Sequence, residues 1–263
     1  MAYQDLVFEK RDKVGLITLN RPTKLNAINM NMVDELVQVA DEIMRDDEIR
    51  SVVVTGAGRG FCSGADLTGR PAEEQTPGRQ SRLDPLMWVG RWCLAMAGIE
   101  KPTIAAVNGV AAGAGCSLAL ACDIRIASEE SRYSLIFIRR ALAPDAGATY
   151  FLPRLVGLSK AFELCFTGDI IDAQEAARIG LVSRVVPASQ LMPEAMALAT
   201  RLADGPPIAM QLTKRALQAS LQNDLVNQLR LEASLVKLNG GSEDVREGRM
   251  AFVEKRPPKF TGR

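Results

Sequence analysis

Histidine is absent from the 263-residue chain. No Ser-His-Asp or Cys-His pair can form within it, and the usual His-containing zinc sites are excluded. Acid–base work must fall to Asp, Glu, Lys, Tyr, Cys or bound water. An excess of either charge is missing too: 32 Lys and Arg stand against 31 Asp and Glu, a net charge of +1. Nucleic acid is therefore not an expected partner, and there is no acidic tail. No run of about 18 apolar residues occurs, so a membrane partner or span is not expected either. Met1-Ala2-Tyr3-Gln4-Asp5 lacks the basic start and apolar stretch of a signal peptide, which makes the cytoplasm the expected location. Cysteine is sparse and odd in number, at 62, 93, 116, 122 and 165 with no Cys-x-x-Cys spacing. Buried free thiols are the expectation. The remainder, 47% hydrophobic and 24% charged, has the composition of a soluble globular enzyme.

Two glycine-rich turns stand out. Phe61-Cys62-Ser63-Gly64-Ala65-Asp66-Leu67 follows the β-branched run Ser51-Val52-Val53-Val54-Thr55, and Val107-Asn108-Gly109-Val110-Ala111-Ala112-Gly113-Ala114-Gly115-Cys116-Ser117 follows Thr103-Ile104-Ala105-Ala106-Val107. A strand that breaks into Gly and Ala leaves its N–H groups uncovered by side chains. Two such turns facing each other would hold one oxygen between two amides, the oxyanion hole of acyl-transfer and enolate chemistry. Other motifs are decoys. Gly115-Cys116-Ser117-Leu118-Ala119 imitates a nucleophile elbow, but Ser117 has no histidine to activate it. Gly56-Ala57-Gly58 and Gly113-Ala114-Gly115 imitate dinucleotide fingerprints, yet Phe61 and Leu118 stand where the third Gly belongs.

Strand and helix signals alternate. Leu6–Glu9 and Val14–Leu19 read as strands joined by a turn at Asp12-Lys13, and Asn20-Arg21-Pro22 ends the second. Met32, Leu36, Val39 and Ile43 recur at helical spacing, with Asn29 or Asn31 as cap and Asp34 and Glu35 complementing the first turn. Residues 68–86 read as an irregular polar loop, either a flap over a site or plain surface. Met87 to Ile99 reads as a helix whose Trp88 and Trp92 pack in a core or interface. Ala114 to Cys122, small and apolar all round, requires a buried helix. From about 189 onward only helical patterns occur. One opens at Pro206-Pro207 and carries Ile208, Leu212, Ala216 and Leu221; another carries Val226, Leu229, Ala233 and Val236. The class is α/β with parallel or mixed sheet, followed by a helical extension that packs on a partner chain or forms a subdomain of this one.

In these turns, and in ordered blocks nearly end to end, the chain resembles the crotonase (enoyl-CoA hydratase/isomerase) superfamily. The blocks include Asn20-Arg21-Pro22-Thr23-Lys24-Leu25-Asn26-Ala27-Ile28-Asn29, Cys122-Asp123-Ile124-Arg125, Leu164-Cys165-Phe166-Thr167-Gly168-Asp169, Ala176-Ala177-Arg178-Ile179-Gly180-Leu181-Val182 and Glu254-Lys255-Arg256-Pro257-Pro258-Lys259-Phe260. The resemblance implies a spiral of β-β-α units over 1–200 carrying an acyl-CoA site. It implies a C-terminal helical oligomerisation region over 201–263, and a homotrimer or hexamer. Coenzyme A enters only as part of the substrate, with no separate cofactor and no metal. The amides of Ala65 and Ala114 would hold the thioester oxygen. Ser63, Gly64, Asp66, Leu67 and Gly113 would lie beside them. Lys24, Leu25 and Ala27 would line the nucleotide end of coenzyme A, and Lys259 and Phe260 would reach the coenzyme A of a neighbouring subunit; for the two lysines an ordinary surface role is the alternative.

The resemblance breaks at the acids. Hydratases of the family use two glutamates, and by gap-free alignment from the flanking motifs Ser117 and Phe137 stand in their places. Without both carboxylates, addition of water by that mechanism should fail. One acid remains nearby, Asp145 in Leu142-Ala143-Pro144-Asp145-Ala146-Gly147. Family members that isomerise dienoyl or ring-containing acyl-CoA substrates carry an aspartate there and use it as a base. The alternative for Asp145 is capping the helix near Thr149 or bracing a turn, and Arg139 or Arg140 could pair with it and weaken it. The expected function is acyl-CoA binding with enolate stabilisation and a double-bond shift through Asp145. The alternatives are an enoyl-CoA hydratase with atypical acid–base residues and a non-catalytic acyl-CoA binder.

Overall fold

The computed structural model describes residues 3–68 and 83–263. Most of the irregular segment read at 68–86, including 69–82, lies outside them. Ten strands are described. Strands β1 (Leu6–Arg11), β2 (Val14–Leu19), β3 (Ser51–Gly56), β5 (Thr103–Val107), β7 (Ile124–Ser128) and β10 (Arg184–Val186) form one sheet in the order β1-β2-β3-β5-β7-β10. The short strands β4 (Gly60–Cys62), β6 (Val110–Ala112), β8 (Arg132–Ser134) and β9 (Ile171–Asp172) form a second, in the order β4-β6-β8-β9. Neighbours are parallel except at β1–β2 and β8–β9. The chain thus gives one strand to the large sheet and the next to the small one, at β3–β4, β5–β6 and β7–β8. This is the expected spiral of β-β-α units.

The large sheet is buried on both faces, which explains why β3 and β5 are apolar without alternation. One face, with Ile17, Leu19, Val52, Val54, Ala105 and Val107, packs under helices α1 (Met30–Arg45), α2 (Met87–Ala97) and α3 (Ala114–Ala121). The other, with Val14, Leu16, Val53, Ile104, Ala106 and Ile126, packs on α7 (Leu191–Ala203). Between these come α4 (Ala148–Val156), α5 (Leu158–Thr167) and α6 (Ala173–Arg178). Three more helices end the chain: α8 (Pro207–Ser220), α9 (Leu225–Asn239) and α10 (Glu243–Glu254).

Most local readings hold. Asn29 caps α1 by accepting from the Met32 amide at 2.8 Å, and α3 is buried along all eight residues. Trp92 is fully buried and Trp88 packs against the core. Two readings need correction. Glu35 does not serve the first turn of α1: it is buried, and its carboxylate accepts from the amides of Gln4, Asp5 and Leu6 at 2.6, 2.9 and 3.1 Å, fixing the start of β1. Cys165 is half-buried, unlike the other four cysteines.

The two glycine-rich turns meet because β4 and β6 are neighbours, paired Gly60 to Val110 and Cys62 to Ala111. Both turns leave the same end of that small sheet. Their approach is too close for side chains. Gly64 has φ +104°, and a Cβ on it would lie 2.8 Å from the Ala112 carbonyl oxygen and 3.6 Å from the Ala114 nitrogen. A Cβ on Gly115 would collide with the Cys62 carbonyl. Behind the first turn, fully buried Asn26 donates to the carbonyls of Ala57 (2.9 Å) and Gly60 (2.7 Å) and accepts from the Arg21 amide (2.9 Å). It ties the 20–28 segment to the β3–β4 turn.

Asn26→Ala would strand these buried main-chain groups, and is expected to cost about 3 kcal/mol, read as a lower urea midpoint. Gly115→Ala must force β4 and α3 apart. It should destabilise by about 1–3 kcal/mol as overpacking does, while Gly241→Ala, which meets no atom within 4 Å, should leave the urea midpoint nearly unchanged.

Candidate active site

The first donor is set by a bridge between Ile28 and Ala65. The Ile28 amide donates to the Gly64 carbonyl and the Asp66 amide to the Ile28 carbonyl, both at 2.8 Å. In such a parallel bridge the Ala65 amide itself points away from Ile28. The second donor, Ala114, is the first residue of α3. Its amide has no acceptor one turn back, and the positive end of the helix adds to it. Gly113 precedes it and donates to the Ser134 carbonyl at 2.9 Å. With the Gly64 approach described above, the segments carrying the Ala65 and Ala114 amides lie against each other, the closeness that an oxyanion hole would require.

Phe137 lies in the 3-10 turn Ile136–Arg140 and is 6% exposed. Its ring comes within 3.9 Å of where a Gly113 Cβ would be, and Ile136 within 3.7 Å. An aromatic ring thus occupies the rim where a hydratase glutamate is expected. Ser117, fully buried on α3, has its hydroxyl 3.1 Å from the Asp145 carbonyl and 3.3 Å from the Gly113 carbonyl. Gly113, Phe137, Ser117 and the Asp145 main chain are therefore contiguous.

The Asp145 carboxyl is free of the two competing roles. The N-cap of α4 is Gly147, with no side-chain capping bond. Arg139 pairs with Asp169 at 2.8 Å instead, and no ion pair joins Arg140 to Asp145 among the described residues. Its Oδ1 is buried without a hydrogen-bond partner. Burial pushes the carboxyl above the ordinary carboxylate pKa, because the charged form is the one that loses hydration. Cys93 on α2 reports the same neighbourhood: burial first, then the Asp145 charge, lifts its thiol to about 11.

The other acid at the hole behaves oppositely. Asp66 accepts from the Thr68 hydroxyl (2.6 Å) and amide (2.9 Å) and pairs with Arg21 at 2.8 Å. These partners, Thr68 before Arg21, lower it to about 2. It is a fixed anion that braces the turn.

Ser63 donates its amide to Leu25 (2.9 Å) and its hydroxyl to Lys24 (3.2 Å), so the 24–27 segment runs alongside the first turn. Lys24 is exposed with Nζ 3.5 Å from the Thr68 hydroxyl. Leu67 is exposed, and Ala27 is buried with its carbonyl taken by the Arg21 guanidinium. Among the described residues, no contact brings Lys259 and Phe260 to the turns. Their segment lies along α10: the Lys259 amide donates to Glu247 (2.7 Å), Phe260 packs by Gly248, and Arg50 holds the Phe260 carbonyl at 3.0 Å.

Sequence reasoning missed a groove lined by Ala146 and Gly147, the two residues after Asp145. About 820 Å³ in volume, it runs between α2, the start of α4 and α8. Val89, Cys93, Ala146, Gly147 and Phe151 line it, with Arg215 and Gln218 at one side. Cys93 and Phe151 had no motif to mark them; only the packing of three distant helices makes them neighbours.

The model of the family described as "Enoyl-CoA hydratase/isomerase" matches residues 9–263. The 1,2-epoxyphenylacetyl-CoA isomerase of Escherichia coli K12 is 40% identical over 250 residues, 95% of each chain. The short-chain-enoyl-CoA hydratase of Clostridium acetobutylicum is 38% identical over 257 residues, 97% of each chain. Among solved structures, an enoyl-CoA hydratase from Bacillus anthracis superposes with TM-score 0.91 at 36% identity, covering 99% of this chain and 100% of that one. Matches of this extent, on a spiral fold whose two turns converge as enolate chemistry needs, settle the family: the chain belongs to the enoyl-CoA hydratase/isomerase family, the crotonase superfamily, whose members act on acyl-CoA.

Proposed function

We propose that this enzyme shifts a carbon–carbon double bond in an enoyl-CoA, with Asp145 as the proton carrier. The observation that carries the reading is the Asp145 carboxyl: half-buried, with Oδ1 buried and unpartnered, and raised in pKa, at a site where Ser117 and Phe137 occupy the two other acid positions. The thioester oxygen accepts from the Ala65 and Ala114 amides. That makes the α-proton acidic, because charge arriving on the oxygen meets donors already in place. Asp145 takes a proton from Cα of a 3-enoyl thioester. The electron pair spreads over the dienolate to the oxygen, and the same carboxylic acid returns the proton at Cγ, leaving the 2-enoyl product. No water is consumed, and the Phe137 ring and Ile136 leave little at the rim to hold one. The groove lined by Ala146 and Gly147 accommodates an apolar or ring-bearing acyl group. The 1,2-epoxyphenylacetyl-CoA isomerase among the relatives supports that class. Lys24 and Leu25 form the rim assigned to coenzyme A.

A second reading, hydration with Asp145 activating water alone, is favoured by the hydratases among the relatives. Loss of crotonyl-CoA absorbance on mixing would mark it.

Oligomerisation belongs to the same proposal. Leu225, Val226, Leu229 and Val236 on α9 and Phe252 and Val253 on α10 are 53–85% exposed. An apolar array of this kind fits a homologous subunit. A partner's tail would bring Lys259 and Phe260 toward the coenzyme A. Light scattering should give three or six times the 28.5 kDa chain mass.

Asp145→Asn should lower turnover of 3-enoyl-CoA by about 10²–10⁴-fold, the usual share of a general base; equal rates in the two proteins would sink the assignment. In the wild type, activity needs the carboxylate and falls as pH drops through the raised pKa. The acid limb therefore lies above the ordinary Asp value of about 3.9. Stability runs the other way. The folded chain holds the Asp145 proton more tightly than the unfolded chain. The resulting stability is full below the unfolded pKa and lost as pH rises through the folded one. Asp145→Asn should accordingly melt above the wild type at neutral pH, and the gap should close in acid.

A further inference from the structure

The Asp145 carboxyl has no anchor of its own on Oδ1, yet a base must be held in place to work. What is anchored is its main chain. The Ser117 hydroxyl lies 3.1 Å from the Asp145 carbonyl, and the Cys93 thiol 3.2 Å from the next carbonyl, Ala146. The two donors come from two different helices, α3 and α2. The segment between them does not rest there unaided. Ala146 has φ +50° and Gly147 φ +79°, and a left-handed alanine is strained. A Cβ at Gly147 would lie 2.9 Å from the Cys93 sulfur and 2.6 Å from the Phe151 ring, so the loop is gripped closely.

We propose that Ser117 is a positioning residue for the proton transfer: its buried hydroxyl clamps the Asp145 carbonyl to the helix that carries the Ala114 donor, and Cys93 completes the clamp from α2. The hydroxyl has one hydrogen and two carbonyls in reach, Gly113 at 3.3 Å and Asp145 at 3.1 Å. Donated to Asp145, it sets the distance between base and oxyanion hole through one rigid helical turn. The place of a hydratase glutamate has thereby become a support for the acid that remains. The proposal rests on the reading of Asp145 as the base.

The test compares wild type, Ser117→Ala, Ser117→Cys and Asp145→Asn on a 3-enoyl-CoA. Each is also mixed with cinnamoyl-CoA, whose absorption moves to longer wavelength when the hole polarises its carbonyl. Ser117→Ala should lose between about tenfold and a hundredfold in kcat, as misplacement of a reacting group does. Its KM should stay within about twofold, and the spectral shift of bound cinnamoyl-CoA should be unchanged. Ser117→Cys, nearly isosteric and a weak donor, should recover part of the loss; if Ser117→Ala fails to fold, Ser117→Cys must still show the kcat-only loss. Wild-type kcat in Ser117→Ala beside an impaired Asp145→Asn overturns the proposal and leaves the base standing. So does a kcat loss in which the spectral shift also collapses, for then Ser117 acts on the hole itself. Full turnover in Asp145→Asn overturns the base assignment, and the clamp with it.

Discussion

The pairing of β4 with β6 is the constraint on which the site depends. Gly60 opposite Val110 and Cys62 opposite Ala111 bring two chain segments, separated by nearly fifty residues, out of one sheet edge side by side. Ligands of parallel sheets gather at the carboxyl ends of the strands, and the two turns leave that end of a small sheet with only two or three residues per strand. Because contact there is backbone against backbone, small residues stand where the turns touch, Gly64 against Ala112 and Gly115 against Cys62. The supports lie one layer behind. Asn26 holds the β3–β4 turn, the Arg21–Asp66 pair braces the first glycine-rich turn, and the buried α3 follows from the second.

The electrostatics divide cleanly between two aspartates opposite in state. Asp66 is surrounded by donors and stays ionised far into acid; it builds the turn and does no proton chemistry. Asp145 has lost water and gained nothing in return. A carboxylate in that condition binds protons more readily, and so becomes a stronger base once ionised. In a chain without histidine, burial of a single carboxyl is an available route to a base poised nearer neutrality.

The turns and their meeting were legible in the sequence because close backbone approach writes itself directly as Gly and Ala. The strands and helices that precede them were legible for a similar reason, since β2, β3, α1 and α3 each show the apolar pattern of their burial. Asp145 could be found but not judged. Whether it capped α4, paired with an arginine or stood free depended on side-chain directions that no spacing encodes. Glu35 shows the same limit: its place in the first turn of α1 suggested a dipole role, while tertiary packing aimed it at the start of β1. The groove walls were not legible at all, being assembled from α2, α4 and α8 across more than a hundred residues of chain.

An oxyanion hole made of main-chain amides is beyond the reach of ordinary genetic substitution. A codon change alters a side chain, and every residue except proline keeps its N–H. A hole formed by the Ala65 and Ala114 amides would therefore be lost only when bulk or proline displaces the backbone. The carboxyls around it are exchangeable, one residue at a time. A protein built in this way can abandon one reaction and acquire another without ever passing through a form that fails to recognise its thioester.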